Sequence, residues 1–190
     1  NGALPAIEVF AAEVARLGGG RVEVAVHTRL FELGELIPPA PVPGELVAAT
    51  EDQVDLAIQW FAEFIDDADR QAGRPAGSTA HELPDRASML HRIRNQELWF
   101  WVDPAGQPVH LTAASQPAFG VSRIGPVYTP AAQRGRGWAS NAVAEVSRRL
   151  QAQGVRVCLY TDQANPVSNK IYIALGYRPV VDQANLLIKR

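Results

Sequence analysis

The sequence is short of the features that mark export, metal binding or membrane insertion. Cys158 is the one cysteine, so no internal disulfide can form, and a reducing cytoplasm is the compartment expected. The four histidines, His27, His81, His91 and His110, lack the close spacing of a metal site, and no metal is expected. No apolar run approaches membrane-spanning length, and the first residues lack the basic start and apolar block of a secretion signal. A surplus of basic charge is also missing. The formal net charge is -2 and the pI about 6.1, so neither nucleic acid nor an anionic membrane is an expected partner. The nucleotide loop Gly-x-x-x-x-Gly-Lys-Ser/Thr does not occur. An initiating Met is absent too, which reads as a fragment or a processed product.

What is present suffices for one sizeable core, since 190 residues are too few to need a second full domain. Residues 6–17 place Ile7, Phe10, Ala11, Val14 and Leu17 at helical spacing, and Gly18-Gly19-Gly20 stops that helix. Val22, Val24 and Val26 then alternate as in a strand. Residues 37–44 carry four prolines and read as a stiff extended linker, so a boundary is placed there: 1–40 a helix-strand extension, 41–190 the main domain. Thr50 with Gln53 forms a capping box ahead of a helix whose apolar stripe is Val54, Ala57, Ile58, Phe61 and Phe64. Residues 73–79 read as a mobile loop, and a shorter helix follows around Ala87, Leu90 and Ile93.

Three strand-like runs come next, at 98–102, 108–114 and 121–128. Asp103-Pro104-Ala105-Gly106 supplies a turn between the first two, which implies an antiparallel meander. A helix over 137–153 shows Ala139, Val143, Val146 and Leu150 on one face, and the apolar strand 155–160 follows Gly154. Strand, helix, strand with short joints is a right-handed crossover, so the strands ending at Tyr128 and Tyr160 should be parallel neighbours. Asn165 caps another helix with Pro166 at its first position and Gly176 at its end. Two closing strands, near 178–181 and 186–189, complete a mixed α/β sheet.

Arg134-Gly135-Arg136-Gly137-Trp138-Ala139 lies between a strand and an amphipathic helix, where unpaired backbone N–H groups and the helix dipole favour an anion. Glycine lets a ligand approach the main chain closely. This segment resembles the Arg/Gln-x-x-Gly-x-Gly/Ala pyrophosphate signature of the GNAT acetyltransferase superfamily. Residues 165–177, an Asn-led helix carrying Tyr and ending in Gly-aromatic, are similar to that superfamily's second signature. The likeness spans roughly 45–190 in element order and is specific from about Arg123 onward. It extends to a bacterial subgroup with a degenerate GNAT-like segment upstream, of which residues 1–40 would be the tail.

The resemblance implies a GNAT fold, with a central, partly splayed mixed sheet flanked by helices, and an acetyl-CoA-dependent N-acetyltransferase. Acetyl would pass to a primary amine, on a small molecule or a protein, by direct attack in a ternary complex; a homodimer is compatible with this. Val127, Tyr128 and Thr129 would bond the pantetheine arm through the backbone, and Asn165 would hold it from the opposite strand's end. Residues Gly135, Arg136, Gly137, Trp138, Ala139 and Ser140, led by Arg134, would wrap the pyrophosphate, and Tyr172 would protonate the departing thiolate. Before the resemblance is considered, Tyr172 is equally well a core tyrosine and Asn165 a plain helix cap. The general base stays open among Glu63, Asp66, Asp67, Glu97, His110, Asp162 and a water chain, because residues 120–128 contain no acid. That gap keeps two alternatives in play: a non-catalytic acyl-CoA sensor, and a transferase of a larger acyl group.

Overall fold

The protein is represented by a computed structural model that describes residues 1–189. In chain order it contains β1 (Gly2–Ala3), α1 (Ala6–Gly18), β2 (Arg21–Leu33), β3 (Glu45–Ala48), α2 (Val54–Gln71), α3 (Arg86–Arg94), β4 (Leu98–Val102), β5 (Pro108–Ala114), β6 (Val121–Tyr128), α4 (Trp138–Ala152), β7 (Arg156–Asp162), α5 (Pro166–Ala174) and β8 (Tyr177–Lys189). All eight strands form one sheet in the order β1-β8-β2-β7-β6-β5-β4-β3. Among the described residues only β6 and β7 run parallel, and α4 is the crossover between them. The mixed α/β sheet and the meander of β4, β5 and β6 are as expected.

Two apolar layers sandwich the sheet. Trp138, Val143, Val146 and Leu150 of α4 pack with Ile124, Leu159 and Tyr172 on one side. Trp60 and Phe61 of α2 and Met89 of α3 pack with Leu98, Phe100, Leu111 and Tyr128 on the other. The alternation along β4 produces this division, with Phe100 in the second layer and Trp101 in the first. Each such side chain, fully buried, contributes roughly 1.5–3 kcal/mol of transfer free energy.

The N-terminal segment is built into this sheet rather than laid against it. Strand β2 lies between β7 and β8, pairing from Thr28↔Asp162 to Glu32↔Cys158 on one side and from Arg21↔Lys189 to Leu33↔Tyr177 on the other. The proline-rich linker then carries the chain to β3 at the far edge of the sheet. On the way it touches the start of α4, where the Ala40 carbonyl accepts from Asn141 Nδ2 at 3.1 Å, and β4, where the Pro43 carbonyl accepts from Trp101 Nε1 at 3.0 Å.

Four local expectations need correction. The two closing strands are one, β8, because residues 182–185 pair with residues 26–29 of β2, and the whole strand stays in register with β2 apart from single-residue bulges. Strand β3 is additional, hidden in sequence between the prolines and the cap at Thr50. In α1 the buried positions are Ala11 and Ala15, while Phe10 and Leu17 stay exposed, so the small-residue face and not the bulky stripe lies inward. The loop 73–79 is tied down by the buried carboxylate of Asp69. That group accepts from Arg74 Nε at 2.9 Å and from the Thr79 N–H and hydroxyl at 3.0 Å each. Burial works to raise the Asp69 pKa, but these donors outweigh it and hold the group below its ordinary value.

Candidate active site

The site begins with a defect in pairing. Between β5 and β6 the register goes from Thr112↔Val127 to Ala114↔Ile124, so Ala113 opposes both Gly125 and Pro126. One extra residue makes a β-bulge, which bends the bulged strand. The parallel ladder of β6 and β7 accordingly runs from Val121↔Arg156 to Ile124↔Leu159 and ends there. Beyond it, residues 125–128 stay with β5 while β7 continues with β2 as far as Asp162. The two strands diverge around a cleft of about 710 Å³, walled by residues 124–128 of β6 and the following Thr129, by Tyr160, Thr161 and Asp162 of β7, by α5, and by Phe64, Asp67, Ala68 and Gln71 of α2.

The turn expected to hold phosphate closes one end of this cleft. Residues 134–140 all line it. Gly135 and Gly137 have φ of 76° and 81°, in the left-handed region where glycine is favoured. A Cβ on Gly137 would also lie 3.0 Å from Val42 Cγ1. Among the described residues the N–H groups of Gly135, Arg136 and Gly137 have no backbone acceptor, and those of Trp138, Ala139 and Ser140 open α4, where no intrahelical partner exists. Arg136 forms no ion pair among the described residues and lies 5.3 Å over the Trp138 ring. The arrangement concentrates donors and positive potential at one spot, as an anion requires.

Arg134 behaves differently from its neighbours. Its side chain turns away from the turn, donating from Nε to the Thr129 carbonyl at 2.9 Å, pairing with Asp67, and lying 6.0 Å over the Tyr128 ring. It secures the loop to α2, and since its own N–H is bonded to the Ala131 carbonyl, the free donors are those of the residues that follow it. Tyr128 reinforces that attachment by donating its hydroxyl to Glu63 Oε2 at 2.7 Å, and burial with the Glu63 carboxylate pushes its pKa up to about 12. Behind them sits His110, fully buried, with Nδ1 2.7 Å from Thr129 Oγ1 and Nε2 2.7 Å from Thr112 Oγ1. Burial drives its pKa down to about 3, so at neutral pH the ring is uncharged and both nitrogens are occupied.

The opposite wall relies on side chains. Asn165 caps α5, its Oδ1 accepting from the Ser168 N–H at 3.0 Å, while its Nδ2 donates to Gln71 Oε1 at 2.9 Å. Gln71 Nε2 donates in turn to Asp162 Oδ2 at 3.1 Å. Tyr172 lines the cleft from α5, stacked edge-on against Tyr177 with ring centroids 5.9 Å apart. Burial holds its phenol well above the ordinary pKa, so it is protonated at neutral pH and able to donate.

The cleft therefore gathers Val127, Tyr128, Thr129, residues 134–140, Asn165 and Tyr172. Of the candidate bases, His110 is removed by burial and by its two hydroxyl partners. Glu97 lies in a separate groove beside Trp99 and Arg149, outside the cleft. Glu63 is taken by Tyr128 and Gln59, and Asp67 by Arg70 and Arg134. Asp162 lines the cleft with Oδ1 bonded to the Ala164 N–H and Oδ2 to Gln71. Sequence reasoning missed Gln71 and Gln133. The Gln133 side chain lines the cleft with a buried Oε1 that has no hydrogen-bond partner among the described residues. Neither residue stands in an apolar pattern or a motif, and only the position of Gln71 one turn beyond Asp67 on the cleft-facing side of α2 could have flagged it. Among the described residues, no three His, Cys, Asp or Glu side chains converge as metal ligands would.

Comparison with known proteins agrees with this geometry. A family model described as FR47-like protein matches residues 111–186, from β5 into β8. No curated protein sequence matches the chain. Among solved structures, a GNAT-family acetyltransferase from Colwellia psychrerythraea superposes with a TM-score of 0.61 at 14% identity, over 90% of this chain and 57% of that one. A GCN5-related N-acetyltransferase from Sphaerobacter thermophilus gives 0.64 at 19% identity, over 95% and 56%. Another from Kribbella flavida gives 0.58 at 21% identity, over 93% and 63%. The chain thus spans a little over half the length of the first two. At these identities the likeness shows the fold, and the expectation of a GNAT fold from two short motifs is borne out.

Proposed function

We propose, with the GNAT fold as premise, that the chain transfers the acetyl group of acetyl-CoA to a primary amine by direct attack within a ternary complex. The observation that carries this reading is the divergence of β6 from β7 at the Gly125–Pro126 bulge, which opens onto the unpaired N–H groups of residues 135–140. A diphosphate fits that turn and a thiol-bearing arm fits the gap between the strands. Acetyl-CoA would supply an activated thioester. Each main-chain hydrogen bond to a charged phosphate contributes roughly 1.5–3 kcal/mol, so several hold the coenzyme without a lysine. The main chain of Val127, Tyr128 and Thr129 faces the arm, and a free N–H there polarises the carbonyl under attack. Tyr172, protonated and in the cleft, donates to the leaving sulfur.

The attacking amine must lose a proton, since an alkyl amine with a pKa of about 10.4 is nearly all ammonium at neutral pH. Of the two carboxylates that line the cleft, Asp67 is paired with Arg70 and Arg134, so Asp162, which has no arginine partner among the described residues, takes that proton directly or through water. A second reading, a non-catalytic acyl-CoA sensor, is favoured by the engagement of Glu63, Asp67 and Asp162 with protein partners. Release of free thiol from acetyl-CoA across a panel of amines separates the two. Amine-dependent release is expected; binding of CoA with no release from any amine would favour the sensor.

A further inference from the structure

The clasp around Gln71 has the chemistry of an amide-binding subsite. A side-chain carboxamide carries the same two groups as a backbone or pantetheine amide, one acceptor oxygen and an N–H donor. Here the oxygen takes Asn165 Nδ2 at 2.9 Å and the nitrogen gives to Asp162 Oδ2 at 3.1 Å. Both partners are held from behind. Asn165 Oδ1 is committed to the Ser168 N–H, and Asp162 Oδ1 to the Ala164 N–H at 2.8 Å, so the pair presents one donor and one acceptor in fixed orientation. All three residues line the cleft, with Gln71 reaching across from the last turn of α2.

We propose that Gln71 competes with an amide of the acyl donor's arm for Asn165 and Asp162, so that its side chain must swing aside when the arm enters. The inference rests on the acyl-CoA reading of the cleft. It makes the C-terminal turn of α2 an internal competitor that lowers affinity for the arm. An incoming amide offers the same donor and acceptor in place of the ones displaced, so the exchange costs little, whereas an arm without an amide would leave Asn165 and Asp162 unpartnered.

The test is calorimetric titration of wild type, Gln71→Ala and Gln71→Met with CoA, with 4′-phosphopantetheine, which carries both amides of the arm but no adenosine, and with adenosine 3′,5′-bisphosphate, which carries no amide. Both substitutions keep the helix, since Ala and Met are strong helix formers. Removing a competitor held by two hydrogen bonds, one of them to the Asp162 carboxylate, should tighten CoA and 4′-phosphopantetheine about five- to tenfold and leave adenosine 3′,5′-bisphosphate unchanged. The unliganded variants should melt about 1–3 °C lower than wild type, from loss of the same two bonds. A residue with a purely structural role would move stability and affinity in the same direction, so their opposite signs are the signature. Unchanged or weaker binding of CoA and 4′-phosphopantetheine by both variants overturns the competition while leaving the acyl-CoA reading intact. Failure of wild type to bind CoA removes that reading and the competition together.

Discussion

The two walls of the cleft are made of different material. The β6 side, from the bulge through the turn at 134–140, offers main-chain N–H groups. Its side chains mostly face away: Arg134 toward Thr129 and Asp67, Tyr128 toward Glu63. The β7 and α5 side offers side chains, namely Asp162, Asn165 and Tyr172. A wall of backbone is specified by conformation and tolerates most side-chain changes that preserve the turn. A wall of side chains is specified residue by residue and fails when one is replaced. On the proposed reading, the first would bind what every acyl-CoA shares, while the second would handle what changes during reaction.

The contrast breaks most severely if charge is placed on the backbone wall. Ser140 lies in the first turn of α4, where a carboxylate is favoured by the helix dipole but would face the diphosphate. Ser140→Glu is expected to keep or slightly raise the melting temperature while weakening CoA at least ~100-fold, by loss of two or more charged hydrogen bonds. Calorimetry with parallel melting curves checks this, and undiminished binding would refute the phosphate assignment. This position serves better than Gly137, where any side chain would meet Val42 and a strained φ at once.

On the side-chain wall, Tyr172→Phe should lower kcat by about 10²-fold with the Kd for CoA within about twofold, because the lost proton donor acts only in the transition state. Steady-state kinetics with a thiol-detecting assay beside a binding titration reads both quantities. Equal losses in the two would reduce Tyr172 to a packing residue against Tyr177.

The smallest expected effect concerns the brace behind the backbone wall. His110 is neutral when folded, with its pKa lowered from 6.5 to about 3 by burial, whereas in the unfolded chain it protonates as pH falls below 6.5. Between those values the unfolded state binds the extra proton, so stability falls as pH falls, by up to about 1.4 kcal/mol per pH unit. Urea unfolding at pH 7, 6 and 5 should show this slope in wild type and a shallower one in His110→Asn. An unchanged slope would place the acid sensitivity elsewhere.

Much of this was legible in the sequence from β4 onward because the signals there are local. Asp103 to Gly106 turns the chain between neighbouring strands, Gly154 ends a helix, and Asn165 with Pro166 begins one. The unpaired N–H groups of the turn at 134–140 were readable for the same reason, since they are a property of its own main chain. Pairings between distant residues were not readable. Nothing near Phe31 announces that it will lie between Leu159 and Pro179, and nothing in α1 says that Ala11 and Ala15 will be the residues pressed inward. Gln71 was missed on similar grounds, because its partners at 162 and 165 come from the other end of the chain.

The seat of β2 between β7 and β8 also fixes an order of events during synthesis. Contacts such as Arg29 with Asp182, 153 positions apart, close very long loops, and such pairings form late and slowly. Helices α2 and α3 and the hairpins of β4 to β6 can gather while the ribosome is still at work. Strand β2 cannot be enclosed until the last thirteen-residue strand has emerged, and until then its valine-rich edges stand open to whatever other chain is near.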